Sequence, residues 1–269
     1  MAKITCNMIS YTLKRTVDLT IVVPTVTIPG SMGPAESLKY QGKPKYPVLY
    51  LFHGMGNNHA QWTGYTKLEL YAEERNMVVV MISAENKSYV NLGGDRYYDF
   101  IENELQDFIK GTFPVSTRPE DTYVAGLSMG GYGTYVHALR NPEKYAAAGC
   151  LSPAVKFNPY SLSRGEVGAI GFNDDEVEPE IRPYDIADKA IAEGKKLPPF
   201  YICAGGNETG LIELNKVMYD KLKAAGVKVE WDVIEGYGHE WRFWDIEIEK
   251  FLDWIPRTDV YAAEGKRRI

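Results

Sequence analysis

The residues best suited to chemistry in this chain form the pentapeptide Gly126-Leu127-Ser128-Met129-Gly130. It matches the G-x-S-x-G pattern, in which a strand turns directly into a helix and holds a serine hydroxyl at the tip of the turn. Such a turn strains the serine backbone and leaves no room for a Cβ at the flanking glycines. The sequence therefore favours a nucleophilic serine here over a purely structural glycine-rich turn.

A serine hydroxyl needs a base to accept its proton and an acid to orient that base, and in this type of site the chain order is serine, acid, histidine. Two of the four histidines, His53 and His59, precede Ser128. His137 follows Ser128 by nine residues on the predicted helix, two and a half turns away and pointing in the opposite direction. Elimination leaves His239, in a glycine-rich loop before a predicted helix, as the candidate base.

The acid should follow the strand that precedes the histidine strand. The apolar run 200–204 ends in Gly205-Gly206-Asn207-Glu208, which makes Glu208 the first candidate. Glu213, in the next predicted helix, and Glu235, just before the histidine loop, remain alternatives. Asp232 falls within a predicted strand, out of reach.

The negative charge that develops on an attacked carbonyl requires two hydrogen-bond donors. One is the backbone N–H of Met129, directly after the serine. The second should come from the loop after the apolar strand 47–52, where the N–H of Met55 is the natural candidate. We expect His53, in the same loop, to shape that loop rather than take part in the reaction.

The elements that must position these residues alternate along the chain. Strands are predicted over 3–9, 15–23, 47–52, 77–82, 122–125, 145–151, 200–204 and 228–234, and helices over 68–75, 98–110, 185–193, 211–225 and 241–254. Alternation of this kind indicates an α/β fold with a mostly parallel central sheet and helices on both faces. We expect one domain over residues 1–269.

The composition argues against several classes of partner and site. The 269 residues are 45% apolar and 25% charged, with a net charge of −6, which disfavours nucleic acid or an anionic membrane as partner. No apolar run is long enough to span a bilayer, and we see no signal peptide. No histidine or cysteine spacing predicts a metal site, and no cofactor is expected. Cys150 and Cys203 fall in apolar runs typical of reduced core residues, which favours a cytoplasmic location. Homo-oligomerisation stays open.

Three segments carry a family resemblance. The runs His53-Gly54-Met55-Gly56-Asn57-Asn58-His59-Ala60-Gln61-Trp62, Gly126-Leu127-Ser128-Met129-Gly130-Gly131-Tyr132-Gly133 and Gly238-His239-Glu240-Trp241 resemble the tributyrin esterase and feruloyl/acetyl-xylan esterase group of esterase D-like α/β-hydrolases. The resemblance covers residues 45–255. It implies an α/β-hydrolase fold, with Ser128 as nucleophile, His239 as base, and Met55 and Met129 as oxyanion donors. The group usually has aspartate where this chain has Glu208.

The segment 154–182 falls where such esterases carry a cap over the active site. It contains the apolar residues Phe157, Tyr160, Ile170 and Phe172 and the acidic run Asp174-Asp175-Glu176. Apolar residues on a cap would bind an acyl or aryl group, so Phe157, Tyr160 and Phe172 are candidate substrate contacts. Trp62 either borders the same pocket or packs in the core.

These features together predict a serine carboxylesterase that acts on short acyl or hydroxycinnamoyl (feruloyl) esters of small sugars or alcohols, with a small-molecule ester as its partner. A thioesterase of the S-formylglutathione hydrolase type would have the same serine turn. A non-catalytic member of the fold, used for binding, would have lost the serine or the histidine, and here both are present.

Overall fold

The computed structural model describes residues 1–166, 176–267 and 269. In chain order its strands are β1 (Ala2–Ser10), β2 (Arg15–Val23), β3 (Val48–Phe52), β4 (Val78–Ile82), β5 (Asn91–Leu92), β6 (Asp95–Arg96), β7 (Thr122–Leu127), β8 (Ala147–Leu151), β9 (Phe200–Gly205) and β10 (Val229–Ile234). Its α-helices are α1 (Gln61–Tyr65), α2 (Leu68–Glu74), α3 (Tyr97–Asp99), α4 (Gln106–Thr112), α5 (Met129–Arg140), α6 (Pro159–Ser163), α7 (Pro183–Ala192), α8 (Thr209–Ala224) and α9 (Trp241–Trp254). A π-helical segment, Phe100–Leu105, joins α3 to α4.

Eight strands form the central sheet in the order β1-β2-β4-β3-β7-β8-β9-β10. The six strands from β4 to β10 in this order pair in parallel, whereas β1 pairs with β2, and β2 with β4, in antiparallel fashion. The prediction of a mostly parallel sheet is therefore confirmed. Because parallel strands end at the same edge, the loops after β3, β7 and β9 meet there.

The sheet is covered on both faces, which explains the unbroken apolar runs of its central strands. Alternate residues of β3 face opposite sides: Val48, Tyr50 and Phe52 pack with α5, and Leu49 and Leu51 pack with α2 and α9. Helices thus lie on both faces, as predicted, and the fold is that of the α/β-hydrolases.

The differences from the sequence-based expectations are local. The short helices α1 and α6 and the two-residue strands β5 and β6 were not predicted, because segments of two to five residues carry no measurable periodicity. In the polar segment after α9, Tyr261 is buried, stacks on Tyr46 and donates a hydrogen bond to the carbonyl of Pro44. Arg257 of the same segment donates to the carbonyl of Arg75, so the segment is held by more than one contact.

Cys150 and Cys203 are buried in the sheet with free thiols, and burial raises the pKa of both. Within the described part of the chain, no helix has the length and apolar character needed to cross a bilayer.

Candidate functional site

The turn that carries Ser128 is strained, and its neighbours explain how it fits. Ser128 has φ 55° and ψ −115°, outside the regions that side-chain-bearing residues prefer. A Cβ on Gly126 would lie 2.5 Å from the backbone of Gly130, and one on Gly130 would lie 2.6 Å from the carbonyl oxygen of Phe52. Strand β7, helix α5 and strand β3 can therefore approach each other here only because both flanking residues are glycine.

The backbone of Ser128 is held from three sides. Its N–H donates to the carbonyl of Leu151 at 2.9 Å, and its own carbonyl accepts from the N–H groups of Tyr132 and Ala154. Met129 is the first residue of α5, so its N–H has no partner within the helix and lies at the positive end of the helix dipole. The turn therefore presents a fixed serine beside a free backbone donor.

Glu208 and His239 are brought together by the loops after β9 and β10. The Nδ1–H of His239 donates to Oε1 of Glu208 at 2.5 Å. The other carboxylate oxygen, Oε2, accepts from the backbone N–H of Gly205 at 2.6 Å and from the hydroxyl of Ser152 at 2.7 Å. Ser152 Oγ accepts in turn from Nε1–H of Trp244 at 3.1 Å. Both oxygens of Glu208 are thus engaged, and the carboxylate plane is fixed.

The protonation state of Glu208 follows from these contacts. Burial alone would raise the pKa of its carboxyl group, but hydrogen bonds from His239, Ser152 and Gly205 outweigh burial and lower it. Glu208 is therefore an ionised acceptor at neutral pH. The two alternative acids, Glu213 and Glu235, are exposed, and neither contacts His239.

His53 holds the loop after β3. Burial lowers the pKa of its imidazole to about 4, so the ring is neutral at pH 7. Its Nδ1–H donates to the carbonyl of Gly54 at 2.7 Å, and its Nε2 accepts from the N–H of Ala84 at 3.0 Å. The N–H of Asn57 also donates to the Gly54 carbonyl, at 3.3 Å. Since the peptide is planar and trans, fixing this carbonyl turns the N–H of Met55 the opposite way.

A pocket of about 530 Å³ opens at this edge of the sheet. Its wall includes the candidate residues Ser128, Glu208, His239 and Met55. The rest of the lining comes from Gly54, Asn57, Leu127, Ala154, Lys156, Phe157, Asn207, Thr209, Gly210, Leu211 and Trp244. Ser128 Oγ makes no hydrogen bond with His239 or any other described residue; in enzymes without substrate this contact is often long and tightens when substrate binds.

Of the candidate substrate contacts, the structure places Phe157 in the pocket lining and Tyr160 and Trp62 elsewhere. Phe157 lines the pocket and packs edge-on against Tyr132 at 4.6 Å. Tyr160 is not part of the lining; its hydroxyl donates to Glu178 at 2.6 Å. Trp62 is fully buried, with its Nε1–H donating to the carbonyl of Phe52 at 3.0 Å, so its side chain packs in the core. Phe172 lies outside the described residues, as do most of the acidic run and Ile170.

Two residues of the site were missed by reasoning from the sequence. Ser152 follows β8 directly, at the edge where the other site loops meet, and its position after a buried strand was an available signal. It has φ 42°, unusual for a serine. Trp244 lies in the first turn of α9, five residues after His239, and its ring meets the imidazole edge-on at 4.8 Å. Nothing in its spacing distinguishes it from an ordinary core tryptophan. Among the described residues, no group of three or more His, Cys, Asp or Glu side chains could hold a metal ion.

Comparison with known proteins finds relatives by sequence and by structure. An acetyl esterase from Caldicellulosiruptor saccharolyticus is 25% identical over 230 residues, which is 78% of this chain and 84% of the relative. The structure of the fluorophosphonate-binding serine hydrolase FphF from Staphylococcus aureus, with substrate bound, has a TM-score of 0.79 at 28% identity, covering 94% of this chain and 97% of that one. The S-formylglutathione hydrolase FrmB of the same species has a TM-score of 0.78 at 29% identity, covering 94% and 98%.

A family model described as "Putative esterase" matches residues 34–255, a range that contains the whole pocket lining. Because this match covers most of the chain, and because the pocket joins a strained serine to a histidine–carboxylate pair, the protein belongs to this esterase family and is a carboxylic-ester hydrolase.

Proposed function

We propose that the protein is a serine carboxylesterase that hydrolyses short acyl or hydroxycinnamoyl esters of small sugars or alcohols through an acyl-enzyme intermediate. The observation that carries the proposal is the His239–Glu208 hydrogen bond in the same pocket as the strained Ser128. A histidine oriented by an ionised carboxylate beside a serine at a strand–helix turn is the arrangement that activates a hydroxyl.

In the first half of the reaction, Ser128 Oγ attacks the ester carbonyl carbon while His239 Nε2 accepts the hydroxyl proton. Glu208 keeps the Nδ1 proton in place and stabilises the imidazolium. The oxyanion of the tetrahedral intermediate accepts hydrogen bonds from the N–H groups of Met129 and Met55. The carbon–oxygen bond to the alcohol then breaks, and the alcohol leaves with the proton from His239.

In the second half, water takes the place of the alcohol. His239 removes one proton from the water as its oxygen attacks the acyl carbon, and the proton passes to Ser128 Oγ as the acyl–serine bond breaks. The products are the carboxylic acid and free enzyme. Every step uses the same base and the same two backbone donors, so no further group is required.

The lining and the volume of the pocket suit a short or flat acyl group. Its apolar side chains include Leu127, Phe157 and Leu211, and a volume of about 530 Å³ suits a small ligand. We propose that residues 154–182 act as the cap of a single domain over residues 1–269, with Phe157 as the acyl contact. The acetyl esterase relative supports the short-acyl half of this proposal.

A thioesterase function is the second candidate, because the S-formylglutathione hydrolase relative is 29% identical and covers nearly the whole chain. The same serine and histidine could cleave a thioester, with a thiolate as the leaving group. Only the substrate preference of the protein can distinguish these two candidate functions.

The test is a substrate panel with a matched pair of variants. We expect the wild-type protein to hydrolyse p-nitrophenyl acetate and butyrate, methyl ferulate and acetylated xylo-oligosaccharides with higher kcat/KM than S-formylglutathione. Ser128→Ala should lose all of these activities and its labelling by a fluorophosphonate, whereas Ser31→Ala, at an exposed serine, should keep both. Near-native turnover by a folded Ser128→Ala protein would contradict the mechanism, and a preference for S-formylglutathione would favour the thioesterase.

A further inference from the structure

Three aromatic rings lead from the pocket wall to the protein surface. Trp244 lines the pocket beside His239 and meets Trp241 edge-on at 5.3 Å between ring centroids. Trp241 in turn stacks on Tyr65 at 5.1 Å, with 14° between the ring planes. We call Tyr65, Trp241 and Trp244 the aromatic row. It is continuous with the active-site pocket at one end.

The other end of the row is open to solvent. The Tyr65 side chain is 62% exposed although one of its faces stacks on Trp241, so the opposite face is turned toward water. Trp241 also meets the buried ring of Trp62 edge-on at 5.4 Å, which fixes it from below. A ring that rests on a rigid aromatic support and keeps one face open can stack on a ligand.

A polar side chain lies beside this exposed ring. Gln61 precedes Tyr65 by four residues on α1 and therefore lies on the same side of the helix. Its Oε1 accepts from the N–H of Asn58, which leaves its amide N–H groups available to a ligand. The surface thus combines an aromatic face with a hydrogen-bond donor.

We propose that the aromatic row is a binding subsite for a sugar ring in the alcohol part of the ester. The inference rests on the proposed function, since the row begins at the pocket where the ester would lie. A sugar ring has an apolar face of C–H groups that stacks on an aromatic ring, while its hydroxyl rim stays in water. An open platform suits this chemistry, because an alkyl or aryl group would leave much of its apolar surface exposed there.

The order of the rings indicates the size of the alcohol. Two ring contacts, Trp244 with Trp241 and Trp241 with Tyr65, separate Tyr65 from the ring that meets His239. An alcohol that reaches Tyr65 from an ester at His239 must extend past Trp241, which a short oligosaccharide can do and ethanol cannot. The substrate class that the row selects is therefore an O-acylated oligosaccharide rather than a simple alkyl ester.

The test compares Tyr65→Ala with wild type on three acetyl esters: an acetylated xylo-oligosaccharide, p-nitrophenyl acetate and ethyl acetate. We expect kcat/KM for the oligosaccharide to fall about three- to tenfold, mainly through KM, as lost aromatic stacking predicts. The two small esters should change less than about twofold. Tyr65→Trp should keep oligosaccharide activity, and Tyr11→Ala, at a tyrosine of similar exposure in the β1–β2 turn, should have no effect.

Binding without chemistry gives a second readout. Unacetylated xylo-oligosaccharide should inhibit p-nitrophenyl acetate hydrolysis competitively, and Tyr65→Ala should raise its inhibition constant by a similar factor. An equal loss on all three esters, or no loss on the oligosaccharide, would overturn the sugar subsite. Neither result touches the esterase proposal, which fails only if Ser128→Ala remains active.

Discussion

Two histidine–glutamate pairs in this molecule have the same geometry and different surroundings. His239 Nδ1 lies 2.5 Å from Glu208 Oε1, and His137 Nδ1 lies 2.5 Å from Glu102 Oε1. The His239 side chain is 43% exposed at the pocket, whereas that of His137, on α5, is fully buried. The comparison shows what a histidine–glutamate pair needs, beyond its own hydrogen bond, in order to act on a substrate.

The second ring nitrogen makes the difference. His239 Nε2 has no hydrogen-bond partner among the described residues and faces the pocket, so it is available to the serine proton. His137 Nε2 donates to the carbonyl of Tyr89 at 2.9 Å, and its ring is stacked on Tyr98. A pair with both nitrogens committed can hold two elements together but cannot accept a proton from a substrate.

The charge of Glu102 follows from its partners. Besides the contact with His137, Glu102 accepts from Lys144 at 2.9 Å and from the hydroxyl of Tyr145 at 2.6 Å. Burial would raise the pKa of Glu102, but His137, Lys144 and Tyr145 outweigh burial and lower it to about 2. Glu102 is therefore ionised, and both ring nitrogens of His137 are engaged by protein atoms.

The largest expected effect is the difference in kcat between replacing His239 and replacing His137. We expect His239→Ala to lower kcat by about 10⁶-fold with little change in melting temperature, because the base is lost from an exposed loop. His137→Ala should instead lower the melting temperature and leave the kcat of the folded fraction within about tenfold. Steady-state kinetics and differential scanning calorimetry on both variants measure this, and a more active His239→Ala than His137→Ala would reverse the assignment.

The next effect concerns the acids. Glu208→Gln should lower kcat by about 10⁴-fold, less than loss of the base, since the acid orients the imidazole and does not carry the proton. Glu213→Gln and Glu235→Gln are matched controls on the same edge of the sheet and should stay near wild type. If either control loses more activity than Glu208→Gln, Glu208 is not the triad acid.

Glu102→Gln should act on stability instead of catalysis. It removes the buried carboxylate that pairs with Lys144 and accepts from His137 and Tyr145, at a cost of about 3–5 kcal/mol in the free energy of unfolding, or about 10 °C in melting temperature. The pKa of Glu102 is lower in the folded protein than the roughly 4.3 of an unfolded glutamate. Its stabilisation is therefore complete above that value and is lost as pH falls toward about 2.

Urea titrations between pH 6 and pH 2 measure this dependence. The unfolding midpoint of wild type should fall more steeply with acid than that of Glu102→Gln, because the variant no longer has the carboxylate to protonate. Parallel curves would show that Glu102 does not contribute to the acid sensitivity of the fold.

The smallest effect should come from Ser152. Ser152→Ala removes one of three hydrogen bonds to Glu208 and leaves those from His239 and Gly205, so we expect about a three- to tenfold loss in kcat with KM unchanged. The matched control is Ser116→Ala, which removes a buried serine–carboxylate bond to Asp121 far from the pocket. Equal kinetics in the two variants would remove Ser152 from the site.

The sequence alone was enough to predict the strands of the sheet and to predict that the site loops meet at one edge of it. Long apolar runs such as 47–52 read directly as buried parallel strands, and the order of strands places Glu208 and His239 at one edge. The sequence could not distinguish Trp62 from Trp244, since both are tryptophans near a motif and only packing shows which one faces the pocket. Nor could it find the pairing of His137 with Glu102, which lie 35 residues apart and meet only through the packing of α5 on the π-helical segment.

The bonds of His137 also join three parts of the chain that are far apart in sequence. Glu102 lies in the π-helical segment, His137 in α5, and the Tyr89 carbonyl between β4 and β5. Because one imidazole bonds to both of the other segments, we expect the amides of all three to exchange slowly with solvent deuterium and to open together. In His137→Ala that protection should fall in all three segments at once.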